Sequence, residues 1–170
     1  MTMWGAPVNV FLTRAPNGRH CTPGLERAVL SGVCVLRLLV VEDEPFIALD
    51  LQMLSASAGH DVVGIADSLQ SAIDMAASET PEAALVDINL RDGFSGIQVS
   101  RALSSGGCRA IGFVTGNTEQ IPPDFAGAVA VLEKPYTQAG VEEILAILQS
   151  ACNDPPGTPD KPRYVKLAGT

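Results

Sequence analysis

Lysine is nearly missing from this chain of 170 residues: it occurs as Lys134, Lys161 and Lys166 and nowhere else. Aromatic residues make up 5%, and the formal net charge is −8. A chain with so few cations and such an acidic balance is repelled by nucleic acid and by anionic membranes, so neither is an expected partner. Four cysteines, Cys21, Cys34, Cys108 and Cys152, show no CxxC spacing and no histidines at the spacing of a metal site. That excludes the usual zinc patterns and a small disulfide scaffold, and it reads as reduced thiols in a cytoplasmic protein. The N-terminus lacks the basic start and apolar core of a signal peptide. The longest apolar run, residues 28–36, stops at Arg37, far short of the roughly 20 residues that cross a bilayer.

What is present is unevenly spread. Residues 1–37 carry +3, residues 38–150 carry −12 and residues 151–170 carry +1. Residues 1–35 hold scattered prolines and glycines without a sustained period and are expected to form a poorly ordered extension. Residues 151–170 contain Pro155, Pro156, Pro159 and Pro162, which exclude a regular helix and suggest a flexible tail. Between them, over 36–150, two patterns alternate. Short apolar runs at 37–42, 61–67, 82–88, 109–116 and 127–134 read as strands, the first of them, nearly continuous, as a strand buried on both faces. Segments at 44–59, 68–79, 95–105 and 137–151 read as helices. Pro45 suits a first helical turn, Ser68 is a candidate cap, and Val141, Ile144, Leu145 and Leu148 form one apolar stripe. Residues 117–126 stand where a further helix should be, but Pro122 and Pro123 leave it short or disordered. Five strands alternating with helices imply a doubly wound parallel α/β sheet, with ligands beyond the carboxyl ends of the strands.

Those ends carry Glu42 and Asp43, Asp87, Thr115 with Gly116, and Lys134. A parallel sheet brings them to one edge. Carboxylates gathered there repel one another unless a cation intervenes. Hard oxygen ligands in an open site suit Mg²⁺, which also binds phosphate oxygens. Asp87 could act as a nucleophile through an acyl phosphate, with Lys134 and the Thr115 hydroxyl holding phosphoryl oxygens. Singly each residue has an ordinary explanation, but together they supply every group a phosphoryl site needs.

The segments "LLVVEDEP", "ALVDINL", "FVTG" and "VLEKPY" resemble the signature segments of the receiver domain of two-component response regulators, over about residues 36–150. The resemblance implies a flavodoxin-like (βα)5 fold with strand order 2-1-3-4-5. It implies that Asp87 is the phosphoacceptor and that Asp43, with Glu42 beside it, binds Mg²⁺ together with Asp87 and the carbonyl of Asn89. Thr115 becomes the switch hydroxyl, Lys134 the phosphate-binding lysine, and Gly116 keeps the phosphoryl group accessible. A cis Lys–Pro bond is also implied. The donor would be a histidine kinase or a phosphotransfer protein, and the chain would be a signalling protein rather than an enzyme.

Two departures stand out. Receivers usually place Tyr or Phe three residues before the lysine, and here that position is Val131. The helix after Thr115 is the one broken by proline. With "GFVTGN" and "KPY", these features are similar to the FATGUY subclass, which tends to be single-domain and to work with kinases of the HWE or HisKA2 type. The expected switch is ordering of a loose 117–128 segment. About 20 residues after the last helix cannot form a DNA-binding domain, so output is expected by docking, near Gln138, Val141 and Glu142. His60 reads as a solvated turn residue. The competing classes are a pseudo-receiver that binds without phosphorylation, and an aspartyl-phosphate hydrolase. Intact Glu42, Asp43, Asp87, Thr115 and Lys134 argue against the first. Asn89 in place of an acid, and no room for a substrate cap, argue against the second.

Overall fold

The computed structural model describes residues 35–153 and the backbone of 163–165. The extension expected over 1–35 lies almost wholly outside the described residues, as do 154–162 and 166–170 of the tail.

The apolar runs form β1 (Arg37–Val41), β2 (Asp61–Ala66), β3 (Ala83–Val86), β4 (Ala110–Thr115) and β5 (Ala130–Glu133). They pair in parallel in the order β2-β1-β3-β4-β5. β3 and β4 are buried along their whole length, as their unbroken apolar sequences require. Between the strands run α1 (Pro45–Ser57), α2 (Leu69–Glu79), α3 (Gly96–Ser105) and α4 (Gln138–Asn153). Pro45 occupies the start of α1, where its missing N–H costs nothing. The Ser68 side chain accepts from the Ser71 N–H, and Ser71 reciprocates, so α2 is capped from both directions.

Strand alternation divides the core into two layers. Leu38, Val40, Leu85 and Leu132 face α1 and α4, with Val141, Ile144, Leu145 and Leu148 of α4 wholly inside that layer. Leu39, Val41, Val86, Phe113 and Val131 form the other layer with Val99 and Leu103 of α3. Chain order reverses at β1, which lies between β2 and β3, and this opens a crevice at the carboxyl ends of β1 and β3.

Four expectations change. A sixth strand, β6 (Arg163–Val165), adds in parallel to the outer edge of β5, with Tyr164 opposite Val131. Prolines exclude a helix there, but Pro162 immediately before a strand is compatible with an edge position. The 117–128 segment is not loose: it makes two 3-10 turns, Thr118–Gln120 and Phe125–Gly127, and is tied to α3. His60 is buried, not solvated, and its Nδ1 accepts the Leu36 N–H at 3.3 Å. Val141 is fully buried and cannot serve as a docking residue, whereas Gln138 and Glu142 are exposed and bonded to each other at 2.8 Å.

Candidate functional site

Strand register sets the geometry. Val41 pairs with Val86, so Glu42 and Asp87 follow at matched positions on neighbouring strands, and the Asp87 N–H donates to the Val41 carbonyl at 2.9 Å. Thr115 pairs with Glu133, and the Lys134 N–H donates to the Thr115 carbonyl at 3.0 Å. The sheet therefore delivers Glu42, Asp87, Thr115 and Lys134 to one edge by backbone hydrogen bonding alone. The Lys134–Pro135 bond is cis.

Lys134 reaches back across the crevice. Its Nζ donates to Asp87 Oδ2 at 2.6 Å and to Glu42 Oε2 at 2.8 Å. Both carboxylates are buried, Glu42 at 2% and Asp87 at 8% exposure. Charge-assisted bonds of this length in a low-dielectric site are strong. Burial works against the Lys134 charge, but the hydrogen bonds that it donates to Asp87 and Glu42 outweigh it, and its pKa stands above the ordinary lysine value. For Glu42, burial dominates and holds the pKa above the ordinary carboxylate range, with Lys134 only partly offsetting it.

The remaining residues frame this pair. The Asn89 N–H donates to Asp87 Oδ1 at 3.3 Å, while Asn89 Oδ1 is buried with no partner. Thr115 is fully buried, and its Oγ1 accepts the Asn117 N–H at 3.1 Å. Gly116 opens onto free space: a Cβ built there would meet nothing within 4 Å. Asp43 is half-buried next to Glu42. Of the two acids at the end of β1, Glu42 is the one that shares Lys134 with Asp87. Val131 is fully interior, beside Phe113 in register, so the strand carries no aromatic ring at that position to change rotamer.

Among the described residues, no three His, Cys, Asp or Glu side chains are grouped to hold a metal. Lys134 bridges Glu42 and Asp87 instead. The donor set still fits a hard divalent cation. Two buried carboxylates face one ammonium, burial strains the charge of Glu42, and a buried amide oxygen of Asn89 lacks a partner. Additional positive charge relieves each of these.

Sequence reasoning missed Gly96. A Cβ there would lie 2.0 Å from the Asp87 carbonyl oxygen and 2.5 Å from Ile88 Cα. Only glycine lets α3 start against the Asp87 loop, and a glycine in a first helical turn is the sequence signal for such an approach. It also missed the anchors of the loop that follows. Asp92 Oδ2 accepts the Leu69 N–H at 2.9 Å, and Arg91 pairs with Asp67 at 2.7 Å, pinning the loop to the start of α2.

Residues 38–146 match the family model of the response regulator receiver domain. The phyllosphere-induced regulator PhyR of Methylorubrum extorquens is 32% identical over 111 residues, covering 64% of this chain and 42% of that protein. The transcriptional regulatory protein PdtaR of Mycobacterium tuberculosis is 29% identical over 106 residues, covering 59% of this chain and 50% of that protein. The chain thus matches half or less of the length of these relatives. The receiver domain of Erythrobacter litoralis PhyR superposes with a TM-score of 0.67 at 29% identity, covering 73% of this chain and 97% of that one.

Proposed function

This chain belongs to the response regulator receiver domain family, and from that premise we propose that it accepts a phosphoryl group on Asp87 and passes the signal on by binding a protein partner. The observation that carries the proposal is the Lys134 bridge at 2.6 and 2.8 Å, which joins side chains from the ends of three strands. The donor is phosphohistidine on a histidine kinase, of the HWE or HisKA2 type, or on a phosphotransfer protein. An Asp87 carboxylate oxygen attacks phosphorus in line, the P–N bond breaks, and the imidazole leaves.

Lys134 holds the carboxylate in place beforehand and offsets charge on the transferred group. The Thr115 hydroxyl donates to a phosphoryl oxygen, and Gly116 leaves the approach open. Glu42, Asp43, Asp87 and the Asn89 carbonyl are the residues that would hold Mg²⁺. When bound, Mg²⁺ supplies electrostatic stabilisation of the phosphoryl oxygens. Water later hydrolyses the acyl phosphate, so the protein serves as a timed signal and not as an enzyme acting on a separate substrate. Val131, Phe113, Tyr136 and the helix broken by Pro122 and Pro123 favour the FATGUY subclass. A cytoplasmic location follows from the proposed donor, and among the described residues no helix is long and apolar enough to cross a membrane.

The proposal predicts that Asp87→Asn abolishes labelling by acetyl phosphate in the presence of Mg²⁺. Full labelling of that variant would sink it.

A further inference from the structure

The connection from Thr115 to β5 holds a backbone conformation that L-residues rarely adopt. Phe125 and Ala126 have φ of 53° and 50°, followed by Gly127 at 86°. Two consecutive non-glycine residues in the left-handed region persist only where their surroundings fix them. The fixing groups are identifiable. Ser100 Oγ, fully buried on α3, donates to the Ala126 carbonyl at 3.0 Å. Asp124 Oδ1 accepts the Ala126 N–H at 3.2 Å. Both polar backbone groups of the strained residue are thus held by side chains. Arg101, one residue along α3, pairs with Asp124 at 3.0 Å across an exposed surface.

This turn is mechanically joined to the site. Thr115 Oγ1 accepts the Asn117 N–H, the Gln120 and Ile121 N–H groups close the 3-10 turn at 3.1 and 3.2 Å, and the Phe125 N–H donates to the Pro122 carbonyl at 2.8 Å. Only Pro122 and Pro123 lie between Ile121 and Asp124, and their fixed φ makes that link stiff. Thr115 and Ala126 are thus joined by a short run of hydrogen-bonded turns and stiff backbone, a physical route by which the two could be coupled.

We propose that Ser100 and Asp124 are positioning residues for Thr115. They latch the 124–127 turn in its left-handed form, and release of that latch accompanies uptake of a phosphoryl group at Asp87. This rests on the reading of Asp87 as phosphoacceptor. In the latched form Thr115 is engaged with Asn117, and Lys134 with Asp87 and Glu42. A phosphoryl group draws Thr115 and Lys134 to itself and strains the connection between Thr115 and the latched turn. Weakening the latch then favours the phosphorylated state, since a group that stabilises one state of a two-state element disfavours the other.

The test uses the full chain with Ser100→Ala and, as the surface variant least able to disturb the core, Asp124→Ala. Without any phosphate donor, amide exchange across 118–128 is expected to rise about fivefold in Ser100→Ala, the effect of one lost hydrogen bond, and at least as much in Asp124→Ala, which also loses the Arg101 pair, while amides of β1 and β3 are unchanged. At a fixed acetyl phosphate concentration the ratio of labelled to unlabelled chain is expected to rise about fivefold. Unchanged exchange across 118–128 overturns the latch. Faster exchange with unchanged labelling makes the turn merely structural and overturns the coupling. A wild-type chain that takes no label removes the underlying reading and the coupling with it, while the exchange measurement still decides whether the latch exists.

Discussion

One ammonium facing two buried carboxylates leaves the cluster at Lys134 with a surplus negative charge, and removing Lys134 leaves both carboxylates without their cation. Breaking a buried pair in this way costs about 3 kcal/mol. Lys134→Ala is therefore expected to lose stability on that scale at neutral pH, read by urea unfolding. A loss of a few tenths would mean that water compensates the carboxylates. Glu42→Gln is the informative contrast. It removes a burdened charge but leaves the Lys134–Asp87 contact. Its stability is expected to match or exceed wild type while Mg²⁺-dependent labelling falls, and a clear loss of stability would contradict this electrostatic description. These residues were legible because each is a charged side chain ending an apolar run. His60 was not legible, since burial of a turn residue depends on what packs over it. Burial lowers its pKa below the ordinary histidine value. The unfolded state then binds a proton first, so stability falls as pH drops below about 6.5, by at most about 1.4 kcal/mol per pH unit. His60→Asn should flatten that slope between neutrality and the onset of carboxylate protonation, and an unaltered slope would count against it.

Elements explain why some of the structure could be read and some could not. Buried strands announce themselves by unbroken apolar sequence, and their parallel pairing follows from the intervening helices. The strap after β4 announces only that a helix is broken. That it is tied down and not loose depends on Ser100 and Arg101, both on a different element. The start of α3 shows the same limit. The sequence placed Gly96 inside a helix, yet only the packed structure shows the Asp87 carbonyl where a Cβ would go. Gly96→Ala must push backbone against backbone, and overpacking of this kind costs about 1–3 kcal/mol. The shift falls on the peptide that carries Asp87, so labelling should drop with stability. Normal labelling together with normal stability would show that α3 can retreat freely.

Across the whole molecule, the order β2-β1-β3-β4-β5 places the switch in chain direction at β1, and the site lies in the crevice that this switch opens. The convergence on that edge was readable from alternation and strand ends, whereas the sheet order came from the resemblance to receiver domains. The β6 addition was not, because proline content excludes helices and says nothing against a short edge strand. The charge distribution belongs to this scale too. Residues 38–150 carry −12, yet Lys134 is drawn into the acidic edge, where one cation holds two carboxylates. On the proposed reading, this edge makes Asp87 a phosphoacceptor. Borohydride tests it directly, since it reduces an acyl phosphate to the alcohol and so turns a phosphorylated aspartate into homoserine. After incubation of the full chain with acetyl phosphate and Mg²⁺, peptide mapping should find homoserine at position 87 and at no other acidic residue, and none when Mg²⁺ is chelated. Homoserine at another aspartate, or none at all under conditions that label an established receiver, would mean that Asp87 is not the phosphoacceptor.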